Sequence, residues 1–460
     1  MKKNILFILT DDQRYDALGA AGNKDIITPN LDRLAASGSM FTQAHIPCGT
    51  SAAVCMPSRA MINSGRTLFS ISGVGETIPE EHTTLAETFK NAGYDTFGTG
   101  KWHNGPPAFA RGFTSGDNIF FGGMWDHWNV PVYHHDPTGQ YDNVINFVSD
   151  FGRNRKVSTL RCDTYHPGVH SSELLTGTAI KYIQEHPSNV PFYLYLSYLA
   201  PHDPRTMPQK FMDMYDPNEI SLPANYMTSH PFSFGVETIR DEVLASQPRV
   251  ESEVRAHLAE YYAMITHLDY EIGRLLDELE AKGLLDDTII ILTGDNGLAV
   301  GSHGLMGKQN LYDHSVRIPL IVAGPGIPKG QIIDKYVYLL DIFPTLCDLC
   351  NIPIPDTVEG RSFAPMFSNP NFTTRESLYF VYTNLIRGVK NDRYKLIEYR
   401  NHANLLQLFD LANDPHEIND LSECPQHTKI VENIMTLLHE KRAEWNDFEH
   451  PSSEGFWNAV

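Results

Sequence analysis

An α/β fold is predicted by three features of the 460-residue sequence: a large mixed, mostly parallel sheet sandwiched by helices, with a smaller C-terminal α+β subdomain of antiparallel sheet plus helix. First, short and nearly continuous apolar runs at 5–9, 192–200 and 288–292 have the composition of parallel strands covered on both faces. Second, each run is closely followed by polar residues, Asp11-Asp12, His202-Asp203 and Asp295-Asn296. Open α/β sheets hold their ligands at the C-terminal ends of their strands, so these residues are expected to share one edge. Third, from about Arg375 the pattern shifts to short alternating segments such as SLYFVYT and YKLIEYR, separated by turn residues, which read as antiparallel strands. The division is drawn between a domain over 1–370 and a subdomain over 371–460.

Composition narrows the class of function. Hydrophobic residues make up 42% and charged residues 20%, the balance of an ordinary globular protein. A net charge of −20 argues against nucleic acid as a partner, because a phosphate backbone selects basic surfaces. An anionic substrate would therefore need positive charge concentrated locally. The opening Met1-Lys2-Lys3-Asn4 and the apolar run behind it imitate a secretory signal, but the run is too short and ends in Thr10-Asp11-Asp12, so it reads as a first strand. No stretch has the length of a membrane span. Cysteines at 48, 55, 162, 347, 350 and 424 are too few and too scattered for a disulfide framework. Cys347 and Cys350 fall in an amphipathic helical segment and read as a core-facing pair.

Along the chain, two adjacent carboxylates at the first strand's end, Asp11 and Asp12, are costly unless neutralised, and a divalent cation with oxygen ligands is the natural remedy. The segment from Thr28 opens a helix with Thr28 or Asn30 available for capping. Cys55-Met56-Pro57-Ser58-Arg59 follows small residues and begins another helix, which would place Cys55 at the positive end of the helix dipole. Pro57 is tolerated in that first turn, where its missing N–H has no intrahelical partner. A helix over 84–92 and a strand over 94–98 lead to Gly100-Lys101-Trp102-His103, a lysine and a histidine able to face one site.

Residues 120–141, with Trp125, His127, Trp128, Tyr133, His134 and His135 among Gly and Pro, show no regular period and read as a long loop. Loops of this length are usually functional, and a substrate wall is the expectation: aromatic rings on sugar faces, with these histidines and the upstream Arg111 recognising polar or anionic groups. His202, after the third strand, is a candidate general acid or anion ligand. Residues 251–282 read as a long surface helix. Asp295 and Asn296 add a carboxylate and an amide oxygen, completing with Asp11 and Asp12 an all-oxygen set suited to Ca²⁺ or Mg²⁺. His303 and Lys308 follow in HGLMGK and bring further positive or polar groups.

These motifs resemble, in order, those of the formylglycine-dependent sulfatases of the alkaline phosphatase superfamily. The opening strand with Asp11-Asp12, the Cys55-to-Arg66 signature, GKWH, the Pro201-His202 pair, TGDNG with HGLMGK, and the LFDLANDPHE element near the C-terminus together cover about residues 4 to 425. Asn63 and Ser64 replace the more usual Leu/Thr-type residues before Gly65-Arg66, a departure that removes no ligand. The resemblance implies that Cys55 is oxidised by a formylglycine-generating maturation enzyme to an aldehyde, whose hydrate is the nucleophile. It implies a metal held by Asp11, Asp12, residue 55, Asp295 and Asn296, with Arg59, Lys101 and Lys308 neutralising the sulfuryl oxygens. His202 or Lys308 would protonate the leaving oxygen and His103 would serve as base when the aldehyde re-forms.

The expected substrate is a sulfated carbohydrate such as a glycosaminoglycan fragment, met by Arg111, Trp125, His127, His134, His135 and His303. The same signature also serves phosphonate monoester and phosphodiester hydrolases, the rival within the fold. A catalytically inactive glycan-binding homologue is the rival of another class, disfavoured because each expected charged position is present.

Overall fold

The computed structural model describes residues 2–148, 152, 156–187 and 189–459. Its centre is an eight-stranded sheet in the order Gln331–Ile333, Gly38–Phe41, Leu320–Ala323, Thr288–Gly294, Asn4–Thr10, Phe192–Ser197, Asp95–Lys101, Ser115–Phe120. Only Leu320–Ala323 runs antiparallel to its neighbours; the other pairs are parallel. Asn4–Thr10 sits mid-sheet between Phe192–Ser197 and Thr288–Gly294, so the chain winds away from its first strand on both sides. That arrangement brings Asp11, Lys101 and Asp295 to one edge although they are far apart in sequence.

Both faces of the sheet are covered, which explains the unbroken apolar runs. Ile5, Phe7 and Leu9 point into a core shared with Tyr193, Tyr195, Trp102 and the C-terminal region. Leu6 and Ile8 face the opposite core, built with Leu175, Ala179 and Ile183 of helix Ser171–Glu185 and with Leu268, Ile272 and Leu275 of helix Glu251–Ala281. The helix Glu251–Ala281 is thus not the surface helix its charge suggests: Met264 through Asp269 are all buried along its middle. Its buried Asp269 accepts from the backbone N–H groups of Asn30 and Leu31 at the start of helix Pro29–Ser37. Those bonds cap the helix; Thr28, expected with Asn30 as a possible cap, makes no side-chain cap bond and donates to Asp32 instead.

The C-terminal strands form a second sheet, Leu405–Asp410, Tyr394–Tyr399, Ile386–Asn391, Ser377–Tyr382, antiparallel throughout, with Cys48–Gly49 added parallel at its edge. The small sheet is therefore stitched to the segment that feeds helix Cys55–Ser64. Buried charge also ties the small sheet to the residues just before Leu320–Ala323: Asp313 accepts from Lys390 at 2.7 Å and from Lys395 at 2.9 Å, and its backbone N–H donates to Glu417. Helix Thr428–Glu444 packs beside this sheet, and a further helix, Pro451–Trp457, lies beyond the last one expected.

One glycine at the sheet edge has no substitute. Gly100 has φ of 90°, and a Cβ there would stand 1.8 Å from the Ser197 carbonyl oxygen. Gly100→Ala is expected to cost about 2–4 kcal/mol in a denaturant melt and to displace Lys101; an unchanged midpoint would contradict this packing.

Candidate active site

The C-terminal ends of the central strands converge on a buried cluster of charge. Asp11 and Asp12 leave Asn4–Thr10, with Asp12 in the left-handed region at φ 66° so that consecutive carboxylates turn toward the same space. The Asp295 N–H donates to the Thr10 carbonyl, and the Asp12 N–H donates to Asp295 Oδ1 at 3.1 Å, locking the two strand ends together. Asn296 turns its Nδ2 to Asp12 Oδ1 at 2.6 Å. Two oxygens in the cluster, Asp11 Oδ1 and Asn296 Oδ1, are buried and receive no protein donor. Buried acceptors are seldom left so, and a set of hard oxygens with two aimed at no protein donor fits a divalent cation. One oxygen each from Asp11 and Asp295 and the Cys55 Sγ lie within 4.8 Å of one another, as do atoms of Asp11, Asp12 and His202.

Cys55 opens helix Cys55–Ser64 and is 3% exposed. Small residues let the helix start sit deep: a Cβ on Gly49 would meet Pro57 at 2.9 Å and one on Gly75 would meet Ala60 at 3.0 Å. The sulfur lies 3.5 Å from His103 Nδ1 and 3.7 Å from Lys101 Nζ. Burial pushes the thiol's pKa up, against the pull of Lys101 and Lys308.

Arg59 is largely engaged within the protein. It is fully buried: Nε donates to Asp295 Oδ2 at 2.7 Å, and Nη1 to the Lys101 carbonyl at 2.9 Å and the Ser197 hydroxyl at 2.6 Å. Nη2 lies 3.4 Å from Asp11. Arg59 braces the cluster through Nε and Nη1, and Nη2 is its one buried nitrogen without a hydrogen-bond partner. Lys101 and Lys308 do reach the centre. Lys101 Nζ donates to Asp11 and to the Gly123 carbonyl, and Lys308 Nζ donates to Asp12 Oδ1 at 2.5 Å. His202 sits on the far side, Nε2 3.7 Å from Asp12 Oδ2 and Nδ1 2.8 Å from the Asp203 carbonyl, which fixes the proton on Nδ1 in the neutral ring.

The charges are unevenly balanced. Burial raises Asp11, but Lys101 and Arg59 overcome it and hold that carboxyl well below the usual range. For Asp12 and Asp295 burial prevails and both are pushed up to about 6. Burial, then Lys101 and Arg59, push His103 down to about 2, and His202 is likewise driven well below the ordinary histidine range. Without a cation, the raised carboxyls favour the fold below their ordinary value of 3.8, and that contribution is lost as pH rises through about 6. A cation must displace the same protons. Divalent-cation affinity is therefore expected to be flat above pH 7 and to fall by up to ~100-fold per unit below about 6, as two-proton release requires. Calorimetric titration at pH 5, 6 and 7.5 reads this directly, and a pH-independent affinity would contradict it.

Comparison with known proteins accords with this geometry. The sulfatase family model matches residues 3–352, and the model of the N-sulphoglucosamine sulphohydrolase C-terminal region matches residues 301–444. The chain belongs to the sulfatase family. Among similar proteins, an arylsulfatase of Clostridium perfringens is 29% identical over 463 residues, covering 95% of this chain and 94% of the other. An N-acetylglucosamine-6-O-sulfatase of Bacteroides thetaiotaomicron is 25% identical, with 98% and 88% covered. A solved structure in complex with D-glucosamine-2-N,6-O-disulfate superposes with a TM-score of 0.80 at 22% identity over 98% of this chain and 99% of that one. A phosphonate monoester hydrolase of Agrobacterium radiobacter superposes at 0.75 with 21% identity and 96% coverage of both, showing a shared fold. The enzyme is thus a sulfatase with an alkaline phosphatase-like fold.

Several residues expected at the substrate wall of this sulfatase are engaged elsewhere. Arg111 donates to the carbonyls of Ile78, Pro79 and His82 and braces a loop. His127 is buried, with both ring nitrogens bonded inside the protein. His135 packs against Phe109, and His134 pairs with Asp117 at 2.6 Å. His303 stacks on Tyr312 at 3.8 Å and faces the Glu417 carbonyl through Nε2. Trp125 differs: it is 39% exposed, with Met124 at 37%, on the loop whose Gly123 carbonyl binds Lys101.

Sequence reasoning missed Ser197 and Gly123 as supports of Arg59 and Lys101. Ser197 could have been found as the polar residue ending an apolar strand. Gly123 contributes only a carbonyl and leaves no side-chain signal.

Proposed function

We propose that this enzyme hydrolyses the sulfate ester of a carbohydrate through formylglycine formed at Cys55. The observation that carries the reading is the position of residue 55: on a helix start, within reach of His103 and Lys101, and beside the carboxylates of Asp11 and Asp295. Asp11, Asp12, Asp295, Asn296 and residue 55 would hold a divalent cation, Ca²⁺ or Mg²⁺, and the cation would supply Lewis-acid stabilisation of developing negative charge. The hydrated aldehyde would supply the attacking hydroxyl and a second hydroxyl for release of sulfate. Lys101 and Lys308 meet the sulfuryl oxygens, their charge undiluted by solvent because both are buried. Lys308, or His202 once its Nε2 has taken up a proton, protonates the leaving oxygen, and His103, held neutral by burial, accepts one from the second hydroxyl.

The exposed Met124 and Trp125 follow directly on Gly123, which lies against His103, and offer apolar surface of the kind that packs on sugar faces; similarity to glucosamine-sulfate enzymes points the same way. Residues 1–370 are read as the catalytic domain and 371–460 as a subdomain docked on it, with a formylglycine-generating enzyme as a transient partner. The test is a substrate panel on matured protein: monosulfated glucosamines and galactosamines, an aryl sulfate, a phosphonate monoester and a phosphodiester. Release of inorganic sulfate from one or more sugar sulfates, at a higher kcat/KM than either phosphorus ester, is expected. Faster turnover of a phosphonate or phosphodiester would replace this reading with phosphoryl-type hydrolysis, and no turnover with metal-dependent glycan retention would indicate a binding protein.

A further inference from the structure

Lys308 ends a tight loop, and the backbone bonds within that loop stop short of it. Ala299, Val300 and Gly301 donate to the carbonyls of Gly307, Met306 and Leu305, folding residues 299–307 back on themselves. These bonds use the carbonyls of Met306 and Gly307, and the N–H groups of the same two residues turn outward to one side chain. The Met306 N–H donates to Glu242 Oε2 at 3.0 Å and the Gly307 N–H to Glu242 Oε1 at 2.8 Å. Glu242 is 2% exposed, and its charge is answered by the equally buried Arg249, whose Nη2 donates to Oε2.

Arg249 is fixed in turn. Its Nε donates to the Gly304 carbonyl of the same loop at 2.9 Å, and Nη1 to the carbonyls of Glu242 at 2.8 Å and Ala245 at 2.9 Å. The pair thus grips the loop at Gly304, Met306 and Gly307. The next residues are held from the same side: Gln309 Oε1 accepts the Lys308 N–H at 2.9 Å while Gln309 Nε2 donates to Asp241 Oδ2 at 2.8 Å. The fit leaves no room for a side chain at Gly307, where a Cβ would stand 2.9 Å from Asp241 Cβ and 3.1 Å from Glu242 Oε1. Lysine carries its charge on a flexible four-carbon stem, so the reach of its ammonium depends on where the main chain is held. Here Nζ arrives at Asp12 Oδ1.

We infer that Glu242, backed by Arg249, is a positioning residue for Lys308, fixing its main chain so that the ammonium stands at the sulfuryl oxygens. The inference rests on the reading of Lys308 as a contact of those oxygens. The bonds of the Glu242 carboxylate go to the loop and to Arg249, so its effect on sulfate passes through Lys308.

The experiment is a double-mutant cycle between Glu242→Ala and Lys308→Ala on matured enzyme, well below each variant's melting midpoint. It reads kcat/KM for the preferred sulfate ester, normalised to the fraction of residue 55 converted, and the inhibition constant of inorganic sulfate. Glu242→Ala is expected to lower kcat/KM by ~10–100-fold and to raise the sulfate constant by ~5-fold or more, within the loss that follows removal of one oxyanion donor. In the Lys308→Ala background the same change is expected to alter kcat/KM by less than ~3-fold, because two changes acting through one group do not add. Glu242→Gln keeps an acceptor for the peptide N–H groups and recovers part of the loss. Additive losses in the cycle, or an unchanged kcat/KM and sulfate constant for Glu242→Ala, would overturn the positioning role. If Lys308→Ala itself leaves the sulfate constant unchanged, the reading of Lys308 fails instead. Should Glu242→Ala not fold, Glu242→Leu combined with Arg249→Met removes the same acceptors while replacing the pair by apolar side chains, a change that buried ion pairs often tolerate. It takes the place of Glu242→Ala in the cycle with the same outcomes.

Discussion

Cys55→Ala is expected to abolish sulfate release, by at least ~10⁴-fold in kcat, while leaving the fold and the binding of a sulfated sugar intact. The size follows from what residue 55 does: among the described residues, the Cys55 Sγ is the one hydroxyl or thiol in contact with both His103, at 3.5 Å, and Lys101, at 3.7 Å. The small effect on stability follows from the site's surroundings. The thiol is held by charged and polar groups, so its loss opens little apolar cavity. Steady-state sulfate release and a thermal melt on the same preparation check both halves; residual activity within 100-fold of wild type would show that another group attacks sulfur.

Arg59→Leu is expected to cost both activity and stability. Asp295 would lose its bidentate-capable partner at 2.7 Å, and Asp11 the neighbouring charge at 3.4 Å. Breaking a buried ion pair from one side costs about 3–5 kcal/mol, because the remaining charge stays out of water. Activity should fall by at least ~10²-fold, since both carboxylates are placed through that fork. Added Ca²⁺ should restore part of the lost stability, because a cation neutralises the same carboxylates. Arg59→Lys keeps the charge without the planar fork and should fall between the two. Melts with and without calcium, together with kcat, read these effects; a wild-type melt for Arg59→Leu would mean that Arg59 does not brace the cluster.

The strand ends were legible in the sequence because burial on both faces forces unbroken apolar runs, and polar residues directly after them stand out. Asp11, Asp12, Asp295 and Asn296 were placed together on that ground alone, and the structure brings them to one edge. Residue type could not reveal what Arg59 touches. Its partner Asp295 lies 236 positions away, and only the crossing of helix Cys55–Ser64 over the strand end decides whether a guanidinium meets a carboxylate or open space. The histidines of the long loop misled for a related reason: without helical or strand periodicity there is no pattern from which to tell buried positions from exposed ones. Trp125 and His127 stand two apart, one at the surface and one beneath it. The charge on helix Glu251–Ala281 was read as solvated, whereas Asp269 spends its carboxylate on the N–H groups of a neighbouring helix start.

The central claim, a formylglycine at position 55, is tested most directly by mass spectrometry of the peptide spanning Cys55, taken from protein made alongside a formylglycine-generating enzyme and shown to release sulfate. Conversion of the thiol to an aldehyde predicts a mass lower by about 18 Da than the cysteine peptide, with specific activity proportional to the converted fraction. Fully active protein whose peptide retains the cysteine mass would contradict the account and assign the attack on sulfur to the thiol itself or to water.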